Sequence, residues 1–276
     1  MKSERIDVTI FHATLEQVRA NGLGARLRRY HSGFIGEYEV TPVSIDALTL
    51  GGELCGGLRG VVAFGWLITE LLWVAPAKRN SGIGSALYGS AEAFALDRGV
   101  RNAWLTTSAW HDIRFLQVKG YTEFASIENY AHGVPLRFLR KSLTHHGSAP
   151  AVFPADIVLQ PGSDHNVRVL YEHERTLETR SCGTFPMYPL RLAAMDAHGR
   201  VVGGLSADLS VGWLKINVVI VDEDVRNRGV GSLLLDSAEK FAADAGVSEF
   251  LCVKRGNESV TSLSLWAPAR APQAPP

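Results

Sequence analysis

Apolar residues in this chain gather into short dense runs divided by glycine-rich breaks, and the same succession of runs occurs twice. Ile45–Leu50 and Leu54–Val62 read as two strands about the turn Gly51-Gly52-Glu53. Trp66–Val74, WLITELLWV, is apolar at almost every position and reads as a third strand. A break, APAKRNSGIG, follows it. Helical spacing then runs from Gly84 to Asp97, closed by Gly99, and a short strand occupies Ala103–Thr106. The later half gives the turn Asp196-Ala197-His198-Gly199, the strand Trp213–Val221 and the break DEDVRNRGVG. A helix over Gly231–Asp244, closed by Gly246, and a strand over Phe250–Val253 complete it. Leu15–Tyr30 mixes apolar and basic residues at helical spacing and predicts an amphipathic helix.

The two runs superpose without a gap. At an offset of 147 positions, Gly56-Gly57-Leu58 meets Gly203-Gly204-Leu205, and Gly65-Trp66-Leu67 meets Gly212-Trp213-Leu214. Ser90-Ala91-Glu92 likewise meets Ser237-Ala238-Glu239. From Gly56 to Val100 roughly 20 of about 45 positions are identical, a period too long for a solenoid and suited to duplicated domains. A length of 276 residues accommodates two. The expected division is 1–143, a linker at 144–154 that is small, polar and proline-bearing, and 155–266; the Ala/Pro-rich 267–276 is expected to be disordered.

Each unit is therefore an α/β arrangement of hairpin, strand, loop, helix and strand. The loop carries the chemistry. It reads Arg79-Asn80-Ser81-Gly82-Ile83-Gly84-Ser85 in the first copy and Arg226-Asn227-Arg228-Gly229-Val230-Gly231-Ser232 in the second. Glycine permits the tight turn and a close ligand approach. Unpaired N–H groups at a helix start, with the helix dipole behind them, form an anion nest suited to a diphosphate. Neither G-x-x-x-x-G-K-[ST] nor a dinucleotide fingerprint with its acidic residue is present.

The segment LLWVAPAKRNSGIGSALYGSAEAFALDRGVRNAWLTT resembles the central motif of the GNAT superfamily of acyl-CoA-dependent N-acyltransferases, and VVIVDEDVRNRGVGSLLLDSAEKFAADAGV resembles it again. The likeness spans essentially the whole first half, through KGYTEF and LRFLRKSL, and the second half to about Leu263. It implies two tandem domains, each a mixed, mostly antiparallel sheet flanked by helices, with acetyl-CoA as co-substrate. The loop amides would hold the CoA diphosphate. The strand ends Leu72-Trp73-Val74 and Val219-Ile220-Val221 would offer backbone groups to the pantetheine arm and thioester.

The resemblance also assigns chemistry. Glu70 stands where the family often places a carboxylate that takes a proton from the amine; the equivalent second-copy residue is Asn217, which cannot. Leu116 occupies the position of the family's proton-donating tyrosine, so His111 and Tyr121 stand as substitutes, against the alternatives of a surface histidine and a core aromatic. Asn257-Glu258-Ser259-Val260-Thr261-Ser262-Leu263 resembles the family's N-x-x-A-x-x-L helix start, and the last pair of strands is expected to be missing from the second copy. The first copy is thus expected to be catalytic. Trp66, Trp73, Trp104 and Trp213 read as core residues, while Trp110 and His111 stand nearest an acceptor pocket. Asp222, Glu223 and Asp224 read as solvent-facing helix-start charges.

Composition narrows partners. Lysine plus arginine equal aspartate plus glutamate at 28 each, which gives no general attraction to nucleic acid or anionic membrane. Cys55, Cys182 and Cys252 lie far apart and form no metal pattern. The start MKSERIDVTIFHATLEQ has no long apolar run and no stretch approaches a membrane span, so a cytoplasmic protein is expected. The leading reading is acetyl transfer to a primary amine of a small molecule, an antibiotic or a metabolite, by a monomeric pseudo-dimer or a homodimer. The rival reading is an acyl-CoA-binding sensor or scaffold with impaired catalysis.

Overall fold

The computed structural model describes residues 6–20, 22, 25–26, 29–30, 32–33, 36–108, 113–131, 133–144, 153–182, 188–247, 249–253 and 263–266. Its strands are β1 (Val8–His12), β2 (Thr41–Thr49), β3 (Leu54–Ala63), β4 (Trp66–Val74), β5 (Asn102–Ser108), β6 (Thr122–Ala131), β7 (Val134–Ser142), β8 (Ile157–Pro161), β9 (Tyr188–Asp196), β10 (Val201–Ser210), β11 (Trp213–Val221), β12 (Glu249–Val253) and β13 (Leu263–Trp266). Its labelled helices are α1 (Leu15–Ala20), α2 (Ile83–Leu96), α3 (Ile113–Val118), α4 (Asp164–Cys182) and α5 (Val230–Asp244). The helix expected over Leu15–Tyr30 is six residues long as α1, and helical backbone returns at 25–26, 29–30 and 32–33.

One sheet runs β6-β7-β5-β4-β3-β2-β8, the other β1-β9-β10-β11-β12-β13. Most neighbours are antiparallel; β4–β5 and β11–β12 are parallel. Strand β13 lies antiparallel to β12, where no strand was expected. The linker residues 145–152, with His145 and His146, and the tail 267–276 lie outside the described residues.

The compact units depart from the division expected at the linker. One comprises Tyr38–Thr184; the other combines Met1–Glu37 with Phe185–Pro276. The reason is strand pairing. β1, from the start of the chain, pairs with β9 of the second copy, and β8, from beyond the linker, pairs with β2 of the first. Both are edge strands, and an edge offers unpaired main-chain groups to any strand of matching pattern. Each unit is therefore built from both halves of the sequence.

Within the Tyr38–Thr184 unit, β3 is buried along most of its length because helices cover both faces. Adjacent glycines make that possible. A Cβ on Gly56 would lie 3.1 Å from the Trp73 carbonyl oxygen and 3.2 Å from Ile83 Cγ2, so its absence lets α2 close on one face. A Cβ on Gly57 would overlap Leu170 of α4 on the other face. Helix α2 buries Ile83, Leu87, Ala91 and Ala95, spaced by four, against Leu58, Leu67 and Leu105. Helix α5 buries Val230, Leu234, Ala238 and Ala242 at the matching positions against Leu192, Leu205 and Leu214.

Candidate functional site

The two loops fold alike, residue for residue. Asn80 and Asn227 take φ of 60° and 61°, and Gly82 and Gly229 cap their helices at 88° and 91° without any side-chain cap. The first helical hydrogen bonds are Ala86 N–H to Gly82 O and Leu233 N–H to Gly229 O. Helix geometry leaves the N–H groups of Ile83, Gly84 and Ser85, and of Val230, Gly231 and Ser232, with no partner within the helix. Such uncapped amides, with the helix dipole behind them, favour an anion. The arginines tie the loop to the preceding strand end: Nε of Arg79 donates to Val74 O (3.1 Å), and Nε of Arg226 to Val221 O (3.0 Å). Ser81 Oγ donates to Lys78 O, fixing the turn from within. At the second loop Glu223 and Asp224 are exposed at a helix start, as expected, and reach Arg226 and Arg200, while Asp222 is part-buried against Arg26. Arginine donors lie within reach because the N-terminal segment and the β9–β10 turn pack beside this loop. Hydrogen bonding to Arg200 pulls the Asp224 carboxyl below its ordinary range.

Upstream of each loop the sheet opens. Strands β4 and β5 pair only over Trp66–Thr69 against Asn102–Leu105, and β11 and β12 only over Trp213–Ile216 against Glu249–Cys252. Where they part, the opposite ladder carries a bulge. Arg59 faces Leu71 and Gly60 faces Thr69, so Glu70 is the extra residue; Ser206 faces Val218 and Ala207 faces Ile216, so Asn217 is.

Which main-chain groups enter the opening follows from alternation. Ala75 N–H donates to Cys55 O (2.9 Å), so Trp73 and Leu71 also turn their polar groups to β3, while Leu72 and Val74 turn theirs the other way. Asp222 N–H on Val202 O fixes the same phase in β11, so Val219 and Val221 turn their groups away from β10. Of the strand ends expected to serve a cofactor, Leu72 and Val219 turn their groups toward the opening, while the carbonyls of Val74 and Val221 are taken by Arg79 and Arg226. Trp73 and Ile220 do not, because their ladder phase commits them to β3 and β10.

Glu70 is exposed at the mouth of this opening. Leu116 is buried, and α3 presents Phe115 toward Gly84, with 3.4 Å from a built Cβ to the ring. Tyr121 is removed from the site. It is 1% exposed, in the core beneath α2, its ring 5.8 Å from that of Tyr88. Its hydroxyl has no hydrogen-bond partner, and burial, with Tyr88 and Glu92 nearby, pushes its pKa well up. Gly120, at φ 86°, turns the chain into β6 so that the next side chain points inward. His111, Trp110 and Asn257 lie outside the described residues. In the second copy Asn217 donates to Asp208 Oδ2 at 2.7 Å, a carboxylate one strand over from the bulge.

Features that sequence reasoning missed lie on the other face of β3 and β4. The buried Asp46 carboxylate pairs with Arg59 and accepts hydrogen bonds from Ser163 N–H (3.0 Å) and Asn166 Nδ2 (2.8 Å) at the start of α4. Further along α4, Leu170 packs on Leu71 and Trp73, and His173 stacks on Trp73 with ring centroids 4.2 Å apart and planes 5° from parallel. Among the described residues no three His, Cys, Asp or Glu side chains converge as metal ligands. No described helix is long and apolar enough to cross a membrane.

Comparison with known proteins gives a consistent result. The family described as acetyltransferase (GNAT) matches residues 24–121 and again 161–263. The chain is 40% identical over 93 residues to a blasticidin-S acetyltransferase of Streptomyces morookaense, a stretch covering 33% of this chain and 68% of that protein. It is 30% identical over 112 residues to the acetyltransferase Atu2258 of Agrobacterium fabrum (strain C58), covering 41% and 82% respectively. Among solved structures, an acetyltransferase from Bacillus cereus aligns over 49% of this chain and 97% of that one, at 24% identity and a TM-score of 0.46.

Proposed function

The chain belongs to the acetyltransferase (GNAT) family, and from that premise we propose that its first copy moves the acetyl group of acetyl-CoA to a primary amine of a small molecule, with Glu70 as the base. The observation that carries this reading is the bulge: it sets an exposed carboxylate where β4 and β5 part, beside the free groups of Leu72 and upstream of the Gly82 nest.

The chemistry follows from that placement. The Ile83, Gly84 and Ser85 amides would hold the diphosphate of CoA, and the Leu72 main chain would align its arm along the opening. An alkylammonium has a pKa of ~10 and no lone pair to attack with. Glu70 takes one proton, directly or through water. The amine nitrogen then attacks the thioester carbonyl carbon, and an N–H group at the opening stabilises the charge that grows on oxygen. The C–N bond forms, the C–S bond breaks, and the nitrogen's second proton passes to the thiolate or to solvent. A thiol pKa of about 8.5 lets the thiolate leave without a strong acid, which suits a site where Leu116 replaces the donor.

Similarity to a blasticidin-S acetyltransferase makes blasticidin S the first acceptor to test, beside a panel of simpler primary amines. Thiol release from acetyl-CoA is the assay. Glu70→Gln is expected to lower turnover about tenfold or more while acetyl-CoA affinity is retained; undiminished turnover would show that Glu70 is not the base. A second reading, an acyl-CoA-binding protein without transfer, is favoured by Leu116 and Asn217. Saturable binding of acetyl-CoA with no thiol release on any amine would select it.

A further inference from the structure

We propose that Tyr171, on the helix that the second half of the chain lends to the first copy, positions the acceptor, holding its ammonium group against the phenol ring beside Glu70. The inference rests on the reading of Glu70 as base and adds the residue that presents the amine to it.

Helix α4 is fixed across β2, β3 and β4 at three points. Its first turn is tied to the buried Asp46 by Ser163 and Asn166. Leu170 is fully buried against Leu71 and Trp73, and His173 lies flat on the Trp73 ring. Leu170 and His173, three apart, define the buried stripe of the helix. Tyr171 is one residue further round, about 100° from Leu170, and is 46% exposed.

Leu170 packs on Leu71, the residue after Glu70, which sets its neighbour Tyr171 over that part of β4, where the charges of Glu70 and Arg59 act on the phenol. Burial and the Glu70 carboxylate push its pKa up, Arg59 opposes them, and the net shift is upward, so the phenol stays neutral. The second copy indicates which face the bulge residue takes. Asn217 reaches Asp208, whose neighbours Ala207 and Leu209 point into the core under α5. The bulge side chain there lies on the face away from the loop helix. The same bulge in the first copy turns Glu70 to the face that α4 covers. The cofactor nest belongs to the α2 face and the acceptor to the α4 face, with the β4 opening between them.

A carboxylate beside a half-exposed aromatic ring suits a cation. Glu70 attracts the ammonium, the ring face holds it, and the proton then passes to Glu70. The substrate class is accordingly an amine that arrives protonated. Because Tyr171 belongs to the second half of the sequence, the first copy's site is incomplete without that half.

The test uses the full chain, acetyl-CoA, benzylamine as acceptor and tetramethylammonium as a competing cation that cannot be acetylated. Tyr171→Phe keeps the ring and is expected to leave the benzylamine KM and the tetramethylammonium Ki within about twofold of wild type. Tyr171→Leu removes the ring and is expected to raise both about three- to tenfold, with the acetyl-CoA KM unchanged. Turnover with unaltered constants in Tyr171→Leu, or an equal rise in Tyr171→Phe, overturns the inference alone. A wild-type chain that acetylates no amine overturns the transferase reading, and this inference with it.

Discussion

The exchange of segments between the halves can be tested through one contact, Gly57 against Leu170. A Cβ on Gly57 would overlap one methyl of Leu170, lie 3.2 Å from the other and reach 3.3 Å from Arg59 Nη1. In Gly57→Ala, α4 must therefore lift or Leu170 must leave its rotamer, a cost of about 1–3 kcal/mol. Leu170→Ala alone opens a cavity against Leu71 and Trp73, a cost of about 2–5 kcal/mol. In the double variant the new methyl enters the space that Leu170 vacates. The clash disappears, and about 0.8 kcal/mol of methyl burial is recovered. The double variant should accordingly be more stable than the sum of the single losses by about 2–4 kcal/mol, where independent sites add within about 0.5 kcal/mol. The assay is urea unfolding of the full chain by tryptophan fluorescence, since Trp73 reports the α4 contact directly. Two units built on separate sheets need not unfold together, so the transition that moves with Leu170→Ala is the one to compare across all four proteins. Strict additivity would refute the reasoning. It would mean that residue 170 does not face residue 57 and that α4 packs elsewhere.

Three further outcomes are expected. Gly82→Asp forces a side chain onto a φ of 88° and places a carboxylate in the nest, so calorimetric affinity for CoA at the first loop should fall; unchanged affinity would remove the diphosphate from that loop. Asp46→Ala strands the buried Arg59 charge and should destabilise by about 3–5 kcal/mol. Asp46→Ala with Arg59→Ser, the residues at positions 193 and 206 of the second copy, should lose clearly less in the same unfolding assay. Asp196 accepts hydrogen bonds from the main chain of His198 and Arg200 and from the Arg200 side chain, and its pKa is lowered, with the Arg200 main-chain bond the largest cause. A depressed carboxyl contributes stability above its unfolded pKa of ~3.9 and loses it as pH falls through the folded value. Asp196→Asn should therefore melt below wild type at pH 7, and the gap should close in the acid range; a constant gap would point to packing instead.

What the sequence made legible is local. The strands Trp66–Val74 and Trp213–Val221 are found where the apolar runs put them. The loops fold as their glycines require, because Gly82 and Gly229 occupy a backbone region that other residues avoid. The bulges fall at Glu70 and Asn217, at the strand positions where the carboxylate and its replacement were expected. Other features were not legible because they depend on which distant residues meet. Whether Tyr121 faces a ligand or the core depends on how β6 sits under α2. Whether Trp73 offers its main chain to a ligand depends on the phase of a ladder with β3. The partners of β1 and β8 are the clearest case. A duplicated sequence gives both sheets nearly the same edge, so local pattern favours neither pairing. Only the buried contacts of the assembled chain, Asp46 and Arg59 at the head of α4 and Leu170 over Gly57, distinguish them. The second copy has Ala193 and Ser206 where the first has Asp46 and Arg59, so that anchor exists on one sheet alone. The repeat and its loops were thus written in the chain, while the side chains that surround Glu70 were settled by tertiary pairing.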